Sequence, residues 1–563
     1  MPDFDAIVIG SGMSGGWAVK ELCERGLKVL VLERGQNIDP AKDYSDMTLL
    51  WERPNLDQVS EDEIRNRYRI LYGTASYALS ESSKLLWVDE REQPYETPKG
   101  KPFNWVRGYH VGGKSLLWSR QSYRWCPQDF ENNKLDGHGV DWPIRYDDLA
   151  PWYDHVEEFA GVSGTVEGLG QLPDGQFLRP FELTAGEQHF KASVEAAFPT
   201  RKVIPGRCAH LRETKEIHRS LGRNQCQVRN QCHHGCSFGA YFSSVSATLP
   251  AARRTGTMTL ITNAVAQSID YDPATGRASG VRVIDAVTRQ GSSYGAKMIF
   301  LCAGALPSAM ILLNSASEKF PAGLANASDQ VGRNLMDHVT GGGANGVLPG
   351  RLDRYYYGRR PNGIYIPRYA NFTERDKPFV RGFGYQGSVG RRGWTADRPG
   401  VGKEFKQANR SPGPWLASIG AFGECLPNPD NRIRLHQSRK DAWGLPVAVI
   451  ECAWGPNELA IVKAAAHDAR DMLLAAGATD IKLREIPGPP GNAIHEMGTA
   501  RMGRDPRTSV LNGWNQAHDV RNLFVTDGAC MASTACQNPS LTYMAITARA
   551  ANHAVDLLRD GQI

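Results

Sequence analysis

No stretch of this sequence stays apolar long enough to cross a bilayer. The longest such run, Met298 to Leu313, has 16 residues and is broken by Gly304, Pro307 and Ser308, whereas a span needs about 20. Neither sign of charge dominates. Lys plus Arg is 65 and Asp plus Glu is 60, a net charge of +5 over 563 residues, which excludes a nucleic-acid binder built on a clustered basic stripe. The first residues, with Asp3 and Asp5, carry no basic n-region or cleavage site, so no secretory leader is expected and the chain is expected to be made in the cytoplasm. Internal repeats and low-complexity segments are absent. With 41% hydrophobic and 22% charged residues, a wholly disordered chain is excluded. The 11 cysteines are odd in number and follow no regular framework, so most are expected to be reduced. The length exceeds one ordinary module and allows two packed domains.

The N-terminus is the most informative segment. Ala6 to Ile9 reads as a buried parallel strand. It runs into Gly10-Ser11-Gly12-Met13-Ser14-Gly15, then a helical stretch from Trp17 to Arg25, a stop at Gly26, and a second strand from Lys28 to Leu32 ending at Glu33. The unit has the length of a dinucleotide fingerprint. Gly10 permits the tight turn, Gly12 lets backbone approach a pyrophosphate, and Gly15 lets helix and strand pack closely. The helix N-terminus faces the phosphates. Glu33, 21 residues beyond Gly12, can accept hydrogen bonds from an adenosine ribose and disfavours a 2′-phosphate. This motif does not decide between FAD and NAD.

Later stretches carry a resemblance to a family. Arg107-Gly108-Tyr109-His110-Val111-Gly112-Gly113-Lys114-Ser115-Leu116-Leu117-Trp118 resembles the flavin loop of the glucose–methanol–choline (GMC) oxidoreductases. Cys302-Ala303-Gly304-Ala305-Leu306-Pro307-Ser308, Val331 to His338, His495 to Gly503, Phe524 to Gly528 and Asn538 to Thr542 resemble their remaining signatures, in the right order. The resemblance spans the chain from first strand to last helix. It implies FAD, with Gly112, Gly113, Ser115 and Trp118 in the flavin loop and Val265 at the adenine. Asp527 and Gly528, after the apolar strand Leu523 to Val525, are expected at a strand end beside the pyrophosphate. Some members tether the flavin to a histidine two residues after Ser115; here that position is Leu117, so FAD is expected to be non-covalent.

The family removes a hydroxyl proton and passes hydride from the carbinol carbon to the flavin. His is suited to take that proton, and His495 occupies the matching position, with Asn538 as its partner. Asp337-His338 is read as structural.

Between Asn224 and Cys236 three cysteines fall at C-x5-C-x3-C: Cys226, Cys232 and Cys236. Iron–sulfur ligation, zinc held by three Cys and one His, a disulfide with a spare thiol, and buried structural thiols all remain open on spacing. Arg219, Arg223, Arg229, His233 and His234 favour an anionic cluster. The spacing resembles that of multi-subunit sugar dehydrogenase catalytic subunits of the same family, which implies a [3Fe-4S] cluster on the three cysteines, or [4Fe-4S] if Cys208 joins. Electrons would then leave singly toward an external acceptor.

The expected fold is α/β: a Rossmann-like FAD-binding domain interleaved with an α+β substrate domain built on an antiparallel sheet. The cofactor domain takes 1–40, 101–130, 200–340 and 490–563, including the cysteine loop 208–236. The substrate or partner domain takes 41–100, 131–199 and 341–489. Strands are expected within Tyr355–Phe372, Phe379–Val389, Trp415–Gly423, Arg432–Leu435 and Pro446–Trp454, all in one sheet. Residues 40–100 are expected to form a lid or partner surface. Arg351, Arg354, Arg359 and Arg360 are read as a solvated face. The stretch from Lys114 to Arg124, with Asp136-Gly137-His138 and Trp142-Pro143, resembles bacterial glucoside 3-dehydrogenases. That implies oxidation of a ring hydroxyl, foremost C3 of a glucoside, to a ketone. The alternatives are a dehydrogenase of another carbon on a sugar, sugar alcohol or sugar acid, a cluster-free oxidase using oxygen, and a non-catalytic electron-transfer flavoprotein. By the same resemblance the partners are a small signal-bearing subunit and a cytochrome, with periplasmic location through that subunit.

Overall fold

The structure, a computed structural model, describes residues 3–356, 362–393, 400–410 and 412–563; Arg359 and Arg360 lie outside them. The N-terminal alternation of apolar strand, glycine turn and helix builds a parallel sheet. Its strands run in the order Met258–Ile261, Val29–Leu32, Phe4–Ile9, Gly291–Leu301 and Leu523–Val525. Ala6–Ile9 and Val29–Leu32 are buried on both faces, which explains their unbroken apolar runs. Each valine, leucine and isoleucine there contributes about 1.5–3 kcal/mol. The 11-residue strand Gly291–Leu301 serves three partners. Its C-terminal half joins the parallel sheet, and its N-terminal half pairs antiparallel with Arg277–Asp285, which in turn pairs with Ala264–Asp272.

Helix Met13–Glu24 packs against the long closing helix Ser540–Arg559, and helix Tyr146–Ala160 touches both, His155 and Phe159 meeting Trp17. Gly15 lets the first helix sit close on the glycine turn before it. A Cβ there would stand 1.9 Å from the Gly10 carbonyl oxygen. Among the described residues no helix is long and apolar enough to cross a membrane.

The second sheet is antiparallel, in the order Thr479–Glu485, Gly342–Leu348, Trp415–Gly423, Phe383–Arg391, Ile364–Ile366 and Ile204–Pro205. Strand periodicity gives it two unlike faces. Trp415, Ala417, Ile419 and Ala421 are buried in one core with Ile461, Val462 and Ala465 of helix Pro456–Ala475. The other face carries Phe422 and, on the neighbouring strand, Gln386.

One expectation fails here. Arg432–Lys440 and Pro446–Glu451 do not continue this sheet; they form a separate three-stranded sheet with Tyr95–Glu96. Hairpin periodicity fixes pairing within the two strands but not the sheet they join. Residues 40–100 hold short helices with a small core of their own around Tyr68, Leu71, Ala75 and Trp87.

Candidate active site

All five parallel strands end at one edge, and loops from four of them line a single cavity of about 440 Å³. It runs from Glu33 to His495 and is walled by Gly10, Gly12, Gly113, Ser115, Trp118, Val265, Asp527, Gly528 and Asn538. Gly15, Gly112 and the three cysteines Cys226, Cys232 and Cys236 do not line it.

The loops are pinned to each other by side chains. The Glu33 carboxylate accepts from the Ser11 N–H (3.1 Å), the Ser11 hydroxyl (2.5 Å) and the Gly35 N–H (2.9 Å). Ser11 Oγ in turn accepts from the Gly112 N–H at 2.9 Å, joining the first glycine turn to the second. Ser244 bonds the Gly12 carbonyl (2.8 Å) and accepts nothing itself from Ser115, to whose hydroxyl its N–H donates at 3.0 Å. Asp527 accepts from the Gly304 N–H (2.8 Å), the Ser308 hydroxyl (2.5 Å) and the Ala529 N–H (2.8 Å). Its carboxylate is thus spent on holding two loops together. Burial pushes both carboxyls, Glu33 and Asp527, above the usual carboxylate range.

The cavity suits a dinucleotide on its own chemistry. Helices Met13–Glu24, Ala305–Asn314 and Ser540–Arg559 all begin on it, and none has a side-chain N-cap. Three sets of unpartnered first-turn N–H groups therefore face one space, which favours an anion. Two buried acceptor or hydroxyl atoms on its wall, Glu496 Oε1 and Tyr543 Oη, have no protein partner. The two glycine turns also meet closely, since a Cβ on Gly113 would lie 3.4 Å from Gly12 Cα.

At the far end stands a chain of polar groups that fixes one imidazole. His338 Nε2 lies 3.2 and 3.0 Å from the Thr534 and Ala535 carbonyls. Carbonyls only accept, so this nitrogen carries the proton. Burial holds the His338 ring down to about 4, so it is neutral and its Nδ1 bears a lone pair. That lone pair faces His495 Nδ1 at 2.8 Å. His495 therefore carries its proton on Nδ1 and presents a lone pair at Nε2. Asn538 Nδ2 lies 3.2 Å from this atom, and Asn538 Oδ1 accepts from Gln386 Nε2 at 2.5 Å, which turns the amide N–H toward the histidine. Burial first, then the neighbouring His338 ring and the Lys114 ammonium, hold His495 well below the ordinary imidazole range.

The backbone of this histidine is held too. The two Asp337 carboxylate oxygens accept from the N–H groups of Gly491 (2.8 Å), Ala493 (3.1 Å) and His495 (3.0 Å). Burial and the neighbouring Glu496 push Asp337 up to about 7, against the pull of these donors. Lys114 pairs with Glu496 at 2.9 Å on the cavity wall, and the Phe422 ring lies 5.8 Å from that of His495. Ser11, Ser244, Gln386, Phe422 and the Lys114–Glu496 pair were not read as site residues from the sequence. Asp337 and His338 were read as merely structural. Each pair of neighbours in this network is brought together by the fold, and only the position of Ser11 between two glycines was a local signal.

Cys226, Cys232 and Cys236 lie half-buried in one irregular loop, each within electrostatic reach of the other two. Backbone N–H groups of Phe238, Ala240 and Tyr241 donate to Cys236. Among the described residues no three or more His, Cys, Asp or Glu side chains are gathered closely enough to hold a metal ion. Cys208 stands elsewhere, bridging Gln121 and Ser163 with Tyr123 as its neighbour.

Two family models match the chain, the N-terminal part of GMC oxidoreductase over residues 4–340 and its C-terminal part over 427–547. The fructose dehydrogenase large subunit of Gluconobacter japonicus is 28% identical, covering 99% of this chain and 98% of that one. Paromamine 6′-oxidase of Streptomyces fradiae is 29% identical over 97% and 90%. A C-glycoside 3-oxidase of Arthrobacter globiformis is 26% identical over 38% and 43%. Among solved structures, pyridoxine 4-oxidase from Mesorbium loti superimposes with a TM-score of 0.59 at 17% identity, over 98% of both chains. The chain belongs to the GMC oxidoreductases, a family of FAD-binding enzymes that act on CH–OH groups.

Proposed function

We propose that this protein is an FAD-dependent dehydrogenase that oxidises a secondary hydroxyl of a sugar or glycoside, foremost C3 of a glucoside, to the ketone. The observation that carries the reading is the His495 Nε2 lone pair set 3.2 Å from the Asn538 amide. A hydroxyl that approaches both, in place of their own hydrogen bond, donates its proton to His495 and accepts from Asn538, so one group removes the proton and the other holds the oxygen without competing for it. His338 keeps the lone pair on the reacting nitrogen, and Asp337 holds the loop that delivers it. When bound, FAD supplies the acceptor for the hydride of the carbinol carbon. Gly10, Gly12, Glu33, Gly112, Gly113, Ser115, Trp118, Val265, Asp527 and Gly528 are the residues proposed to shape its site, Gly15 by seating the first helix. Leu117 on the wall offers no tether. Phe422 gives a sugar ring an apolar face beside the base. The C-glycoside 3-oxidase relative supports attack at C3, and the fructose dehydrogenase relative supports a sugar.

The electrons are proposed to leave through an iron–sulfur cluster on Cys226, Cys232 and Cys236. Two buried guanidiniums support an anionic occupant. Arg223 donates only to the carbonyls of Phe159, Ala160 and Gly239, and Arg120 only to His210 and the Trp118 carbonyl. Neither meets a carboxylate among the described residues, and both act on the cysteines. Tyr241, whose N–H donates to Cys236, bonds the Leu116 carbonyl of the flavin loop at 3.1 Å, so one residue links the cysteine loop to the loop that borders the cavity.

The test has two parts. Product NMR after turnover of a methyl glucoside should show a 3-keto sugar; a lactone or a ketone elsewhere refutes the C3 assignment. Anaerobically purified protein should hold about three or four irons with matching sulfide per FAD. Iron-free protein that consumes oxygen would instead be an oxidase.

A further inference from the structure

Gln121 is a fixed amide that the mechanism leaves unused. It lines the cavity and is nine-tenths buried. Its Oε1 accepts from the Tyr123 hydroxyl at 2.5 Å. Tyr123 is wholly buried, and its oxygen already accepts from the Arg207 N–H. A phenol has one proton to give. Burial pushes this one far above the usual tyrosine range, so the proton stays on and goes to Gln121. That bond leaves the two N–H groups of Gln121 Nε2 for the cavity. Among the described residues nothing accepts from them.

The backbone is bent to deliver this amide. Arg120, just before it, is left-handed with φ of 61°, a costly conformation for a residue with a Cβ. Ser119 and Gln121 both stand on the cavity wall, while the Arg120 side chain leaves it for His210 and lies 4.3 Å over the Tyr241 ring. Three bonds hold the bend. The Ala209 N–H and the Ser122 hydroxyl each donate to the Arg120 carbonyl at 3.0 Å, and the Ser122 N–H donates to the Arg207 carbonyl at 3.1 Å. Strain held this firmly is typical of ligand clamps. The amide also belongs to the reacting end of the cavity. Tyr123 stacks on Tyr365 at 3.9 Å. Tyr365 pairs across the antiparallel sheet with Gln386, whose own amide holds Asn538. Two fixed glutamines thus serve one space: Gln386 orients Asn538, and Gln121 has donors with nothing of the protein to meet them.

We infer that Gln121 recognises a second oxygen of the substrate, its amide donating to that oxygen while the reacting hydroxyl sits on His495 and Asn538. The inference deepens the sugar reading above and rests on it. A buried donor left unpaired is penalised, so the site selects a polyhydroxy ring over a monohydric alcohol. Nε2 only donates, so the oxygen it meets is a hydroxyl or an ether. An ammonium at the same ring position has no lone pair to offer and is refused.

The test is a deoxy-sugar series, read as kcat/KM with a dye acceptor on the FAD-loaded full chain. Against methyl glucoside, the wild type should lose at least about tenfold on one of the 2-deoxy, 4-deoxy and 6-deoxy analogues. Gln121→Met keeps the length of the side chain and removes the donors. It should lose a similar factor on the parent glucoside, and its parent and matching deoxy sugar should then agree within about threefold. Tyr123→Phe keeps the ring stacked on Tyr365 and frees the amide to turn. It should weaken the same discrimination, chiefly through KM, whether or not Gln121→Met folds. Equal rates on all four sugars in the wild type overturn the inference, as does wild-type discrimination in both variants. Unchanged discrimination with a shifted flavin absorbance in Gln121→Met also overturns it, and would place the amide on the flavin. Wild-type flavin that is reduced by simple alcohols and by no sugar would instead overturn the sugar reading itself, and this inference with it.

Discussion

His338 and His495 are 157 residues apart in the chain and 2.8 Å apart in space. The tautomer argument makes a graded prediction. Replacing His338 by Ala frees His495 to move its proton to Nε2, and kcat should fall about a hundredfold, within the range general-base loss produces. His338→Gln keeps an acceptor toward His495 and a donor toward the carbonyls, and should recover most of that loss while KM stays near wild type. Equal loss in both variants would reduce His338 to a packing residue. A second expectation concerns pH. Because His495 is held well below the ordinary range, kcat/KM should be flat through neutrality and fall only in acid. Lys114→Gln removes a positive charge that lowers the His495 pKa, so it should raise that pKa and shift the acid limb upward. An unmoved limb would show that Lys114 does not act on the base. None of this was readable locally. An Asp-His pair in a loop names no partner, whereas the glycine turn at Gly10–Gly15 announces strand, turn and helix in one stretch.

Elements repeat the lesson. The strand–turn–helix–strand unit from Phe4 to Leu32 was legible because each part constrains the next. The separate sheet of Arg432–Lys440, Pro446–Glu451 and Tyr95–Glu96 was not. Its third strand is two residues long and lies more than 300 positions away, too short to carry a period. Segment 47–56 defeated pattern reading for another reason: Met47, Leu49, Leu50, Trp51 and Leu56 face out, so its periodicity describes no core. Gly15→Ala tests the clearest element contact. Its Cβ would press on the Gly10 carbonyl at 1.9 Å, and the helix must lift. Stability should drop by about 1–3 kcal/mol and bound FAD should be lost from the purified protein. Retention of both would mean that the first helix can slide at no cost.

For the molecule as a whole, one buried carboxyl links pH to stability. Asp337 is raised to about 7 in the fold, against about 3.9 unfolded. The folded chain therefore binds that proton more tightly. Its contribution is full below about pH 4 and is lost as pH rises through 7. Asp337→Asn does not titrate, so the Tm of the variant minus that of the wild type should grow more favourable between pH 5 and 8. Parallel curves would place the Asp337 proton elsewhere. The same variant loses an acceptor for the loop bearing His495, so its activity should fall even where it is the more stable protein.

Gly10 and Asp527 stand 517 residues apart, yet they border one cavity. At about 5–20 residues per second of synthesis, the first glycine turn waits roughly half a minute to two minutes for strand Leu523–Val525 to reach the ribosome exit. His495 and Asn538 arrive in the same late interval. The nascent chain thus spends most of its life with a dinucleotide turn that has no opposite wall and no base. Chemistry begins only when the last strand slides in beside Gly291–Leu301, so completion of the polypeptide itself acts as the safety catch on a reactive cofactor.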